Sequence, residues 1–172
     1  MSAQGHTLDE FISTVLVPGV QRMTYEGLGY LATGMIAVGI EFLGACLDEH
    51  DFRKDGESEK RFKKGIAEFM GKVNAKYIPY NNPRSEFYLY EQLRCGMAHI
   101  IRPAGKVVFT GRGEAQRDGL VHLEVMAKYH VLILVVEDFC DEFIEACERL
   151  RRRIPKLTNP KVKEIFLPVR EA

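Results

Sequence analysis

Arg94 and His99 are the pair whose types and spacing could do chemistry together, and they stand five residues apart in an amphipathic stretch. On a helix that spacing puts them about 140° apart and about 7.5 Å along the axis. They do not stack on one face, but an arginine is long enough to wrap toward the groove beside the next turn. A guanidinium grips phosphate oxygens with a planar fork and offsets charge building in a transition state. An imidazole moves protons near neutral pH. Arg102 follows His99 by three residues, close to the same face, where it could add a second cation. Glu91 precedes Arg94 by one turn and could orient it, while Tyr90 fits the apolar stripe and reads as core. The plain alternative is an Arg94–Glu91 surface bridge contributing almost nothing, with His99 bonded to backbone.

Other chemistries lack their motifs. No Glu-x-x-His occurs, which argues against a di-iron bundle, and no His-Glu-x-x-His, zinc-spaced Cys/His set, Walker loop or Gly-x-Ser-x-Gly is present. Gly27-Leu28-Gly29-Tyr30-Leu31-Ala32 matches a loose dinucleotide pattern, but no strand precedes it. Cys95 and His99 lie four apart, yet nothing local supplies a third, orienting group, and a free cysteine is more often a small buried apolar residue. His122 and His130 have no partner at metal spacing and read as packing or surface residues.

The elements that must position these residues are helices. Leu8, Phe11, Ile12, Val15 and Leu16 predict a first helix that stops at Pro18-Gly19. A second, over about 26–48, carries two stripes: Leu28, Leu31, Met35, Val38, Phe42 and Ala45, and Ile36, Ile40, Leu43 and Leu47. A helix apolar on two faces is a central one, and its glycines let another helix approach. A third, over about 58–77, buries Phe62, Ile66, Phe69, Val73 and Tyr77, with Lys60, Arg61, Lys63, Lys64 and Lys72 on a solvated face. The fourth is expected from Pro83, capped by Asn82, to Ile101 before Pro103. Residues 106–110 and 120–125 then predict a small β-hairpin whose tip, 111–119, is mobile and basic through Arg112 and Arg117. The last long helix is predicted from Ala127 to Arg153, with acids before bases as the helix dipole favours, even though 131–136 is rich in branched residues. In the tail, Ile165, Phe166 and Leu167 are expected to tuck against the body.

Composition bounds the rest. The 172 residues suit one domain, and 46% hydrophobic with 28% charged residues is a globular profile. Twenty-four basic and twenty-four acidic residues cancel, which excludes a protein that coats nucleic acid by bulk charge but leaves room for a local basic site. Four cysteines without CxxC spacing fit a reducing compartment. The first six residues lack the order of a signal peptide, and the uncharged run 27–40 is shorter than a membrane span, so a cytoplasmic protein without membrane contact is expected.

Leu93-Arg94-Cys95-Gly96-Met97-Ala98-His99, an Arg-x-x-x-x-His run near the end of a helix in a helical domain of this size, resembles the HEPN superfamily, in particular its small single-domain bacterial defence and toxin members. The resemblance covers about 8–153. It implies a mainly α fold, a HEPN-like four- to five-helix bundle with the hairpin between its last two long helices, as one domain over 1–172. It implies a metal-independent endoribonuclease that needs no cofactor, with Arg94 and His99 catalytic, in which two subunits face their motifs across a shared cleft. There the RNA 2′-hydroxyl attacks the adjacent phosphate and leaves a 2′,3′-cyclic phosphate. Arg102, Glu91, Arg112 and Arg117 are the expected substrate contacts. Expected partners are a second copy of the chain, RNA or a nucleotide, and a cognate antitoxin or defence partner. Family members often carry Asn or Asp after the arginine, where this chain has Cys95. The alternative is therefore a silent HEPN-type module that dimerises and binds a nucleotide or partner; a third is an unrelated bundle with an accidental Arg–His spacing.

Overall fold

The protein is described here by a computed structural model covering residues 5–159 and 161; the expected contacts of Ile165, Phe166 and Leu167 lie outside the described residues. Thr7 opens the first helix with a capping box: its hydroxyl accepts from the Glu10 N–H, and the Glu10 carboxylate accepts from the Thr7 N–H. α1 (Leu8–Phe11), a π-helical turn (Ile12–Leu16) and α2 (Val17–Tyr25) form one rod. The rod does not stop at Pro18. Proline lacks an N–H and crowds the carbonyl four residues back, and the wider π turn, closed by the Val17 N–H on the Ile12 carbonyl, makes room for it.

α3 (Gly29–Ala45) is the central helix, and Ile36, Ala37, Ile40 and Leu43 are fully buried along it. The stripe that begins at Leu28 is split: Leu28, Leu31, Met35 and Val38 stay exposed, while Phe42 and Ala45 pack into the core. α4 (Ser58–Gly65), a π turn (Ile66–Met70) and α5 (Gly71–Val73) pack along α3 as a second rod. The approach is backbone to backbone. A β-carbon on Gly44 would strike the Arg61 carbonyl, and one on Gly65 would strike the Ile40 carbonyl. Arg61 is not on a solvated face as its spacing suggested. It is buried, donating to Asp48 at 2.7 Å and to the Phe52 and Asp51 carbonyls, and so holds the loop after α3. Buried Lys161 joins the same carboxylate at 2.5 Å.

The second rod ends at Val73, earlier than predicted, because Asn74 turns extended and its side chain accepts from the Lys76 N–H to start a 3₁₀ segment (Ala75–Asn81). The next helix starts later than predicted. Asn82 and Ser85 accept from the Arg84 and Phe87 N–H groups, and these local bonds hold 82–88 in turns rather than in a helix. Only then come a π turn (Tyr90–Cys95) and α6 (Gly96–Ile100), closed by Ile101 in the left-handed region at φ 54°. The chain folds back over Gly96, where a β-carbon would meet the Arg102 carbonyl, and the Ala104 N–H bonds the Gln92 carbonyl at 2.7 Å.

The predicted hairpin is a three-stranded mixed sheet. β1 (Val107–Thr110) and β2 (Val125–Met126) do not pair; β3 (Val131–Val135) lies between them, parallel to β1 and antiparallel to β2. Its registers run Val107↔Leu132 to Thr110↔Val135 and Val125↔Leu132. The segment expected as a mobile tip is a helix, α7 (Arg112–Asp118), ended by Gly119 at φ 66°. α8 (Val136–Arg153) begins only after β3 and buries Phe139, Phe143, Ala146 and Leu150 against α3. Its acids precede its bases, as expected. The fold is mainly helical with this small sheet on one side, and no helix among the described residues is long and apolar enough to cross a membrane.

Candidate functional site

Arg94 projects from the π turn toward α3 and α4. Its Nε donates to Glu41 Oε2 at 2.6 Å, with both side chains about 18% exposed. The same oxygen accepts from the Ser58 hydroxyl at 2.8 Å, and the Tyr90 hydroxyl donates to Ser58 Oγ at 3.2 Å. The Tyr90 ring centre lies 6.0 Å from the Arg94 guanidinium carbon. One arginine is thus fixed by a carboxylate from α3, through a hydroxyl from α4, over an aromatic ring of its own turn. Both terminal nitrogens of Arg94 keep no protein partner among the described residues, and they are not among the buried unpaired atoms, so they are open to solvent.

Glu91, the expected orienting residue, is exposed and makes no hydrogen bond to Arg94. The extra residue per turn of a π helix separates positions that an α-helix would stack. The carboxylate that does the orienting is Glu41, fifty-three residues earlier, and no local spacing could have pointed to it.

His99 sits on α6, exposed, with no hydrogen bond among the described residues; Arg102 is exposed just past the left-handed Ile101. No hydrogen bond joins Arg94 to His99, and they occupy neighbouring turns of one rod. Beside them, Met23, Leu31, Met35, Val38, Met97 and Ile101 line an apolar groove of about 370 Å³ between α3 and α6.

Arg112 and Arg117 are elsewhere. Arg112 donates to Asp138 at 2.8 Å and to Asp141 at 2.6 Å, and its N–H bonds Glu137, so Nε and one terminal nitrogen of its guanidinium are engaged with α8; these carboxylate bonds push its pKa up. Arg117 is exposed, 3.6 Å from Asp118. Neither shares a cleft with Arg94 or His99 among the described residues.

A second polar centre lies under the sheet, where sequence spacing placed only a packing histidine. Glu142 Oε2 accepts from the Tyr77 hydroxyl at 2.5 Å and from His122 Nε2 at 3.0 Å, and Oε1 accepts from Asn74 at 2.7 Å. The Val135 N–H donates to His122 Nδ1 at 3.0 Å. That bond fixes the tautomer: Nδ1 is the acceptor, and Nε2 carries the proton given to Glu142. Burial pulls the Glu142 pKa up, but the bonds from His122, Tyr77 and Asn74 outweigh it and hold the carboxyl below its usual range. Burial, and then the Glu142 charge, push the Tyr77 phenol well up. A cleft of about 480 Å³ opens beside this centre, but Arg112 and Lys76 on its rim already pair with Asp138 and Glu124.

Cys46, Cys140 and Cys147 are buried and reduced, and Cys95 is half-buried. No group of three or more His, Cys, Asp or Glu side chains among the described residues could hold a metal ion. Comparison with protein-family models, with curated proteins and with solved structures finds no match to this chain.

Proposed function

We propose that the chain is an endoribonuclease of the metal-independent HEPN type, working as a homodimer. The observation that carries this reading is Arg94, held at Nε by Glu41 with two terminal nitrogens free for a phosphate, one turn from an exposed His99. In the proposed reaction the ribose 2′-oxygen attacks the adjacent phosphorus and its proton passes to an imidazole. The P–O5′ bond breaks, the departing oxygen takes a proton, and the products are a 2′,3′-cyclic phosphate and a 5′-hydroxyl end. His99 handles the protons, and Arg94 offsets charge on the non-bridging oxygens. Arg102 is near enough in sequence to add a backbone contact; Arg112 is tied to α8, in a different cleft from the Arg94–His99 region, and takes no part in the proposed step.

The exposed apolar face supports the dimer. Leu28, Leu31, Met35 and Val38 of α3, with Ile100 and Ile101 at the end of α6, leave apolar surface open beside the motif, Ile101 at 64%. A contiguous apolar patch of this kind marks an interaction site. Covered by the same face of a second copy, it sets two Arg94–His99 pairs on either side of one groove.

Glu41 also favours the second reading, a silent dimerisation or nucleotide-binding module, because it offsets the charge of Arg94. Incubating the purified chain with RNA in excess chelator separates the two. Chelator-resistant cleavage to cyclic-phosphate ends, lost in Arg94→Ala and in His99→Ala, supports the ribonuclease. Intact RNA with a persistent dimer supports the silent module.

A further inference from the structure

Five cations from three elements converge at the C-terminal end of α8. Lys72 of α5, Arg149, Arg152 and Arg153 of α8, and Lys156 just beyond line one cleft of about 430 Å³. Glu68 is the one acidic residue in its lining, and Glu145 of α8 pairs with two of the arginines. Arg153 pairs with Glu68 at 3.0 Å, and Arg149 and Arg152 share one oxygen of Glu145 at 3.1 and 3.2 Å. Five cations against two carboxylates leave three positive charges in excess, in a chain whose net charge is zero.

The helix dipole accounts for only part of this. It favours cations in the last turn of α8, but Lys72 and Lys156 are not on that helix and have no ion-pair partner among the described residues. Arg149 adds a second sign. Its Nε lies 3.1 Å from Glu145 without the alignment of a hydrogen bond and is shut off from water, so its only partner among the described residues is that ion pair; buried donors in native proteins are rarely left without a hydrogen bond. Arg153 is already set in place, its guanidinium 5.2 Å over the buried Phe69 ring.

We infer that this cleft is an anion site for a compact group of two or three linked phosphates, carried by a nucleotide or free as inorganic triphosphate. Charge and size both point to a compact ligand. The excess is confined to one cleft that also holds Glu68, and Phe69 is sealed in the core, so no aromatic face is offered for stacking the bases of a single strand. The inference is independent of the ribonuclease proposal, because no residue of this cleft belongs to the Arg94–His99 region.

Isothermal titration of the full chain with inorganic triphosphate and with ATP, in chelator at about 0.15 M salt, tests it. One-to-one binding is expected, weakened about tenfold or more in Lys72→Gln/Lys156→Gln, whose side chains are exposed and make no hydrogen bond or ion pair among the described residues, and unchanged in Arg94→Ala. Arg149→Gln, checked for an unchanged melting curve, is expected to weaken it as well. Equal affinities assign the site to the phosphates alone, and tighter ATP adds a nucleoside contact; either supports the inference. It is overturned by absence of binding up to millimolar ligand, by equal binding in the lysine variant, or by a preference for single-stranded RNA that grows with its length.

Discussion

At Glu142 three donors converge on one carboxylate, and at Glu41 two do. Both centres join helices distant in sequence, and both set a tyrosine and a nitrogen base beside the acid. They differ in what is left over. Around Glu142 the phenol, the imidazole and the amide all give their protons to protein acceptors, and His122 is bound at both ring nitrogens. Around Glu41 the guanidinium gives up one donor and keeps the outer two. A satisfied buried network rigidifies a fold but has nothing to offer a ligand. An arginine held by its inner nitrogen is oriented and still able to bind. The difference between locking a sheet onto a helix and presenting a charge lies in the count of unspent donors.

Removing each acid's or base's key group should break the comparison in opposite ways. Glu142→Ala takes the acceptor from two buried donors, Tyr77 and His122, and from half-buried Asn74, and should cost about 3–5 kcal/mol, read as a fall in the urea midpoint. Arg94→Ala leaves the Glu41 carboxylate with Ser58 alone and should cost about 1–2 kcal/mol, less than Glu142→Ala, while His99→Ala should stay within about 0.5 kcal/mol because the ring is exposed and unbonded. Each should instead lower chelator-resistant RNA cleavage by about 10²–10³-fold. An Arg94→Ala protein that melts as early as Glu142→Ala would make both centres structural.

The apolar face sharpens the same contrast, since an open centre needs something to enclose it. Met35→Glu puts a charge on a side chain 44% exposed in the single chain, so the monomer should fold normally. The dimer should weaken at least tenfold by sedimentation, and cleavage should fall in parallel. An unchanged sedimentation coefficient would leave the α3 face without this partner.

How far these features could be read in advance depended on how local their causes are. The buried stripe of α3, its close glycines and the acid-to-base polarity of α8 follow from spacing along one helix. The exposed stripe of α3 has the same periodicity, because spacing reports that a face is apolar and not that anything in this chain covers it. Val131 to Val135 carries a helix-like stripe because a strand buried on both faces does not alternate; its branched residues are the better guide to a strand. The late start at Tyr90 came from Asn82 and Ser85 bonding their own backbone, which competes with a helix that their capping propensity seemed to begin. Arg94 and His99 were visible as types at a spacing. Glu41 was not, and neither was Glu142 as the acceptor for His122, since both pairings are made by packing between elements far apart in the chain.

The smallest expected effect is also the most specific to the closed centre. Glu142 has its pKa lowered in the fold from an ordinary value near 4.5. A carboxyl whose folded pKa is depressed stabilises the fold at pH values above its unfolded pKa, and that contribution fades as pH falls through the folded value. Glu142→Gln keeps the shape, but its amide oxygen is a neutral acceptor and its NH₂ must face one of the donors. The variant should be less stable than the parent at pH 7 by about 1–2 kcal/mol. Below the ordinary carboxylate range the parent protonates too, so the gap should narrow by pH 3, in urea titrations run at both pH values. A gap that stays constant across that range would mean that the charge of Glu142 is not what the three donors hold. Its role would then be one of packing alone, and the two centres would differ in shape rather than in spent and unspent donors.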